Sequence, residues 1–213
     1  EGDGKNKMLL GGKGANLCEM TQIGLRVPPG FVITTEACLD YIANNRLPEG
    51  LMGNVRENMA WLEQQTGKQF GGVANPLLVS VRSGSAMSMP GMMDTILNLG
   101  LNETTLAGLI KLTGNARFGY DAYRRFIQLF GKIALGIDDH FFDDHFEAIK
   151  RRAGVKVDLG LNAEDLRDIG QLFLQVVQEQ TGRPFPQDPY EQLELAVKAV
   201  FNSWMGQRAV DYS

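Results

Sequence analysis

Apolar residues recur along the chain with two different periods, and the pattern changes near residue 101. Before that point helix-like and strand-like spacings alternate. Leu17, Met20 and Ile23 repeat at three-residue steps and predict a helix over Gly14 to Ile23. Pro28, Pro29 and Gly30 break the chain, and Phe31-Val32-Ile33-Thr34 predicts a short buried strand. Thr35 suits the N-cap of a helix running to about Ala43. Leu51, Val55, Met59 and Leu62 mark one face of a helix over Leu51 to Gln65. Pro76 opens a strand, Leu77 to Val81, whose end at Arg82 runs into a small-residue loop, Ser83 to Gly91. Asp94 to Leu99 reads as another short strand.

From Asn102 to about Gly182 the signals are helical only. Phe118, Ala122, Phe126 and Phe130 recur every four residues, as a buried helix face does. Phe141, Phe142, His145, Phe146 and Ile149 form a second amphipathic run. Asn162 with Asp165 resembles a capping box and starts a helix through about Gln178. Asp188 before Pro189 starts a last helix, lined by Leu193, Ala196, Val200 and Trp204. Trp61 and Trp204 sit at core-type spacings and read as packing residues. The pattern predicts an α/β unit, a helical unit, and a helix able to return to the first unit. Two consecutive domains are the alternative.

Composition narrows the function classes. With 213 residues, 44% hydrophobic and 22% charged, the chain can bury a core without staples. Its net charge of −4, from 21 basic and 25 acidic residues, argues against a general nucleic-acid binder. It leaves room for a local basic site. No apolar run approaches about 20 residues, so no membrane span is expected. Cys18 and Cys38 lie in apolar-periodic stretches without a CxxC or Cys/His cluster, and read as buried thiols in a reducing compartment. No targeting segment is visible, so a cytoplasmic location is expected, or a plastid or glycosome-type organelle in a eukaryote. The polar, Gly-rich opening EGDGKNK reads as a mobile tail.

Three stretches hold candidate chemistry. In Gly11-Gly12-Lys13-Gly14-Ala15-Asn16, glycines ahead of a helix let backbone N–H groups approach an anion. Lys13 adds a full charge, although GxxxxGK[ST] is absent. A flexible turn with a solvated Lys fits the spacing equally well. In Val79-Ser80-Val81-Arg82-Ser83-Gly84, a buried strand ends on a cation, where open α/β sheets bind ligands. Arg82 has a planar fork suited to phosphate, and equally to a carboxylate at a sheet rim. The Ser83 to Thr95 stretch combines hydroxyls, glycines and methionines, as a phosphate-covering lid or a tucked surface loop would. Asp94 within it suits an N-cap or turn better than a metal site. His140 and His145, five apart on one helix, do not share a face for metal binding and read as surface residues. The Asp138-Asp139 and Asp143-Asp144 pairs read as a solvated face, and one of Arg124 and Arg125 as an intrahelical ion partner.

Longer runs carry a family resemblance. LLGGKGANLCEM (Leu9 to Met20), VPPGFVITTEAC (Val27 to Cys38), NPLLVSVRSG (Asn75 to Gly84) and SMPGMMDTILNLGL (Ser88 to Leu101) resemble pyruvate, phosphate dikinases. So do TGNARFGYDAYRRFIQLFG (Thr113 to Gly131), FPQDPYEQL (Phe185 to Leu193) and AVFNSWMGQRA (Ala199 to Ala209). The resemblance spans nearly the whole chain. It implies conversion of ATP, phosphate and pyruvate to AMP, pyrophosphate and phosphoenolpyruvate, through a phosphohistidine on a separate swivelling domain. It implies an α+β (α/β) fold, part of an ATP-grasp fold. Its first subdomain, 1–101 with 188–213, is interrupted by an all-helical insertion, 102–187. It maps nucleotide binding onto Lys13 and Arg82, with Gly12, Gly14 and Ser83 beside them, and a covering loop onto Ser88 to Asp94, including Gly91 and Asp94. No catalytic residue and no metal ligand is assigned here: the Mg²⁺ ligands are expected mostly in the family's second subdomain. These residues alone are therefore expected to lack dikinase activity. Met205 stands where the family commonly has Asn or Asp, and Ser85-Ala86-Met87 where some relatives carry a basic residue. Two other classes stay open. One is a phosphoenolpyruvate synthase that uses water in place of phosphate, against which the SMPGMMDT loop speaks; the other is a non-catalytic docking or regulatory module.

Overall fold

The computed structural model describes residues 2–84 and 95–211; for Lys7, Gly12 and residues 205–211 it describes the backbone only. In chain order the elements are α1 (Lys7–Gln22), α2 (Thr35–Asn44), α3 (Leu51–Thr66), β1 (Gln69–Phe70), β2 (Pro76–Leu77), β3 (Val79–Val81), β4 (Ile96–Leu99), α4 (Glu103–Thr113), α5 (Ala116–Leu135), α6 (Asp139–Ala153), α7 (Ala163–Thr181) and α8 (Pro189–Asp211). A 3-10 turn at Asp158–Gly160 precedes α7. The architecture is thus mixed helix and small sheet. It groups into two compact units, one of Glu1–Gly67, Arg82–Thr95 and Val197–Ser213, the other of Lys68–Val81 and Ile96–Ala196.

Among its described residues, the regular elements of the first unit are all helices. Its opening is ordered rather than a tail: the Asp3 carboxylate accepts the Lys5 N–H at 2.9 Å, and Asn6 caps α1 by accepting the Leu9 N–H at 3.2 Å. Gly4 packs so closely on α1 that a Cβ there would lie 2.8 Å from that of Glu19. The inward face of α1 also differs from expectation. Leu17, Met20 and Ile23 are exposed, whereas Gly14 and Ala15 are buried. Small side chains let neighbouring segments approach the helix axis, so α1 packs through them. The expected strand at Phe31 to Thr34 forms no ladder, because no described segment of this unit is a strand to pair with it; Thr34 is extended, with φ −71° and ψ 157°. Thr35 is the first residue of α2 rather than its cap, and its hydroxyl donates to the Met8 carbonyl at 2.5 Å. Helix α3 buries Val55, Met59 and Leu62 as expected, but Trp61 is 44% exposed. The core joins Cys38 and Tyr41 of α2 to Val197 and Phe201 of α8, with the two rings 5.5 Å apart.

The second unit carries all four described strands. The expected strand over Leu77 to Val81 is split at Leu78, because its halves have different partners. Residues Pro76–Leu77 pair in parallel with β1, and Val79–Val81 pair antiparallel with β4. Helix α5 packs on β4, α4 and α7. Ala122, Phe126 and Phe130 are buried as the periodicity predicts, but Phe118, in the first turn, is half exposed. Phe185 closes an aromatic cluster with Phe126 and Phe130 at 5.5 and 5.4 Å. Asn162 and Asp165 form the expected capping box, and the Asp188 carboxylate accepts the Tyr190 N–H at 3.0 Å where α8 begins. Gln192, fully buried, ties α8 to two segments: it donates to the carbonyls of Leu101 and Pro186 and accepts the Gly100 N–H. Both Arg124 and Arg125, rather than one, pair with Asp121.

Candidate functional site

The glycine run lies inside α1, which starts at Lys7, earlier than the spacing predicts. Gly11 breaks it: with φ 71° and ψ 166° it is non-helical, and a fresh helical stretch begins after it. The first turn of any helix has N–H groups without intrahelical acceptors and a partial positive charge. Lys13 stands in that turn with its side chain exposed. Gly14, next to it, is buried beneath Val32: a Cβ there would lie 3.3 Å from Val32 Cγ2.

Gly11 also meets the second candidate stretch. A Cβ built on it would fall 1.6 Å from the Gly84 carbonyl oxygen and 2.5 Å from its carbon. Only a glycine tolerates both this approach and the positive φ. The backbones of the Lys13 turn and the Arg82-Ser83-Gly84 segment are therefore in direct contact within one unit. Arg82 is exposed, and neither it nor Lys13 forms an ion pair with another described residue. Ser83 is only 2% exposed, and its hydroxyl accepts a hydrogen bond from Trp204 Nε1 at 3.3 Å. Two exposed cations on adjoining backbone segments, one of them in a helix's first turn, suit a polyanionic ligand.

The structure thus joins the segments of Gly12, Lys13 and Gly14 to those of Arg82 and Ser83. Ser88, Gly91 and Asp94 lie outside the described residues. The Gly11–Gly84 contact and the Ser83–Trp204 bond had no signature in spacing, since each joins residues far apart in the chain. Among the described residues no three His, Cys, Asp or Glu side chains converge to hold a metal ion. His140 is exposed, with Nδ1 2.8 Å from Asp138 Oδ1. The His140 N–H groups hold the Asp138 carboxyl below its ordinary value of 3.8. A groove of about 310 Å³ lies in the second unit, among Leu106, Ile110, Tyr123, Leu166 and Gly170, and includes none of the expected phosphate residues. No helix among the described residues is long and apolar enough to cross a membrane.

Comparison with known proteins agrees with the resemblance. The family model for the pyruvate phosphate dikinase AMP/ATP-binding domain matches residues 7–60 and 39–213. The pyruvate, phosphate dikinase of Entamoeba histolytica is 62% identical over 213 residues, covering 100% of this chain and 24% of that protein. That of Giardia intestinalis is 50% identical over 206 residues, 97% of this chain and 23% of the relative. Pyruvate, phosphate dikinase 2 of Zea mays is 50% identical over 213 residues, 100% of this chain and 24% of the relative. The chain therefore spans about a quarter of the length of the curated relatives it matches. With the family model matching from Lys7 to the last residue and identities of half or more, this chain belongs to the pyruvate, phosphate dikinase family, within its AMP/ATP-binding domain.

Proposed function

We propose that this chain, within a full-length protein, places Lys13 and Arg82 on the phosphate oxygens of ATP. The full-length protein that carries it is a dikinase, making AMP, pyrophosphate and phosphoenolpyruvate from ATP, phosphate and pyruvate. One observation carries the reading: the Gly84 carbonyl seats on Gly11, which brings the backbones of the two cation-bearing segments together. Family membership supports it, since the matched domain is described as AMP/ATP-binding.

Phosphoryl transfer depends mainly on positioning and on neutralising charge that develops on phosphate oxygens. Lys13 and Arg82 supply positive charge, and backbone N–H groups from Gly12 to Gly14 and near Gly91 orient the oxygens. Ser88 and Asp94 belong to the loop that covers them. Ser83 serves the site through its position between Arg82 and Gly84. The phosphoryl acceptor is a histidine on a swivelling domain of the full-length protein. Magnesium accompanies ATP in this reading. The described residues offer no carboxylate cluster to hold it, so no step here is assigned to the metal. The same proposal takes the fold as part of an ATP-grasp domain, 1–101 with 188–213, interrupted by a helical insertion at 102–187. The unbroken helical run from α4 to α7 supports it, as does the packing of α8 residues Val197 and Phe201 on Cys38 and Tyr41.

The test is single-turnover phosphorylation of the full-length protein by ATP. Arg82→Ala is expected to slow that step more than tenfold, as removal of one preorganised charge donor does. Lys13→Ala should act in the same direction. An unchanged rate for Arg82→Ala counts decisively against the assignment.

A further inference from the structure

We propose that Trp204 is a positioning residue for the phosphate site: its indole N–H holds the Ser83 hydroxyl, and Ser83 fixes Arg82 and Gly84 on either side. The inference rests on the phosphate role of Arg82 argued above. Ser83 is 2% exposed, so its hydroxyl faces protein rather than a ligand in solvent. A buried hydroxyl requires a partner. That partner comes from α8, 121 positions away, as Trp204 Nε1 donating at 3.3 Å. An indole N–H is a donor only, so the direction of the bond is unambiguous. Trp204 is itself anchored, packed at the edge of the core formed by Cys38, Tyr41, Val197 and Phe201.

Arg82, in contrast, is exposed and has no ion partner among the described residues. Its segment is held at two points. Gly84 is seated on Gly11, a steric contact. Ser83 is bonded to Trp204, a polar one. A long, flexible side chain acts on a phosphate only from a fixed backbone, and a displacement of about 1 Å in such a group lowers rates by about a hundredfold. The α8 segment therefore sets the position of a cation that it does not touch. This separates two roles of the partly buried indole. Its ring fills the core edge, and its N–H aligns the site. A phenylalanine keeps most of the first and removes the second.

The experiment uses the full-length protein carrying Trp204→Phe, Ser83→Ala or Arg82→Ala, together with the pairs W204F/S83A and W204F/R82A. Isothermal titration gives the affinity for Mg-ATP, and thermal unfolding gives Tm. Trp204→Phe and Ser83→Ala should each weaken binding about three- to tenfold, the range for loss of one hydrogen bond, with Tm lowered by only a few degrees. W204F/S83A should bind no more weakly than the weaker single variant, and Trp204→Phe should add nothing in the Arg82→Ala background, because coupled residues are not additive. Wild-type affinity for Trp204→Phe overturns the positioning role, as does an undiminished loss on top of Arg82→Ala. Either result leaves Arg82 as a phosphate ligand if Arg82→Ala alone weakens binding more than tenfold. Wild-type affinity for Arg82→Ala overturns the phosphate role and the positioning role together. Should Trp204→Phe fail to fold, Ser83→Ala, which keeps every ring, makes the same comparison.

Discussion

Tyr123 carries a phenol oxygen that is buried without a hydrogen-bond partner. Burial pushes its pKa above the ordinary value of 10.0; the Gln187 side chain pulls it back and the Glu103 charge adds to the rise. Gln187 is thus near enough to act on the phenol, yet completes no hydrogen bond with it. A buried polar group left unpaired costs about 1–3 kcal/mol. Tyr123→Phe is therefore expected to leave stability unchanged or raise it by about 1 kcal/mol, measured as the urea midpoint at neutral pH. The pH dependence has a definite sign. The folded pKa lies above the unfolded one, so this contribution is fully present below pH 10.0 and is lost as pH rises from there through the folded value. In Tyr123→Phe the alkaline loss should be smaller, and equal slopes above that pH in both proteins would refute the account. Nothing in the spacing marks Tyr123, because satisfaction of a hydroxyl is decided by which atoms surround it. Gly11 was partly legible: the sequence shows a glycine run, but not the carbonyl of Gly84 lying where a Cβ would stand. Trp61 and Phe118 reverse the lesson, since both occupy core-type positions and remain substantially exposed.

At the scale of elements, caps were legible when their partners lie within one turn. The Asn162–Asp165 box matches the expected motif, and α4 has a second box whose N3 residue, Thr105, closes it with a hydroxyl instead of a carboxylate. Asn102 does more than cap. Its oxygen accepts the Thr105 N–H at 2.8 Å, and its amide donates to the Gln187 carbonyl at 2.8 Å. Loss of an N-cap costs about 0.5–2 kcal/mol. Asn102→Ala should therefore destabilise by at least about 1 kcal/mol, since it also orphans the Gln187 carbonyl. Asn102→Asp, which keeps the capping oxygen but not the donor, should lose less. Equal urea midpoints for Asn102→Ala and the parent protein would remove the cap from the account. Partner choice was not legible for strands. Leu77 and Val79 look alike in sequence, yet they pair with different strands in opposite senses. Nor did periodicity identify the buried face of α1, where small residues pack inward and larger apolar ones face out.

For the whole molecule, the reaction proposed for the full-length protein makes its own prediction. Turnover of ATP and pyruvate should yield phosphoenolpyruvate and pyrophosphate only when phosphate is supplied. Phosphoenolpyruvate formed in phosphate-free buffer, with no pyrophosphate, would point to the water-using synthase instead. Net charge gives no hint of this chemistry: the chain is acidic at −4, while the proposed site is built from two exposed cations. The sequence by itself determined the helical content, the change of character near residue 101 and, through its long ordered motifs, the family. Those features are local or are carried by contiguous residues, so they do not depend on which distant segments meet. Only the tertiary structure decided that Gly84 rests on Gly11, that Ser83 is bonded to Trp204 and that Leu17, Met20 and Ile23 face outward. Such contacts depend on which distant backbones meet, and periodicity along one segment carries no record of the segment it will touch.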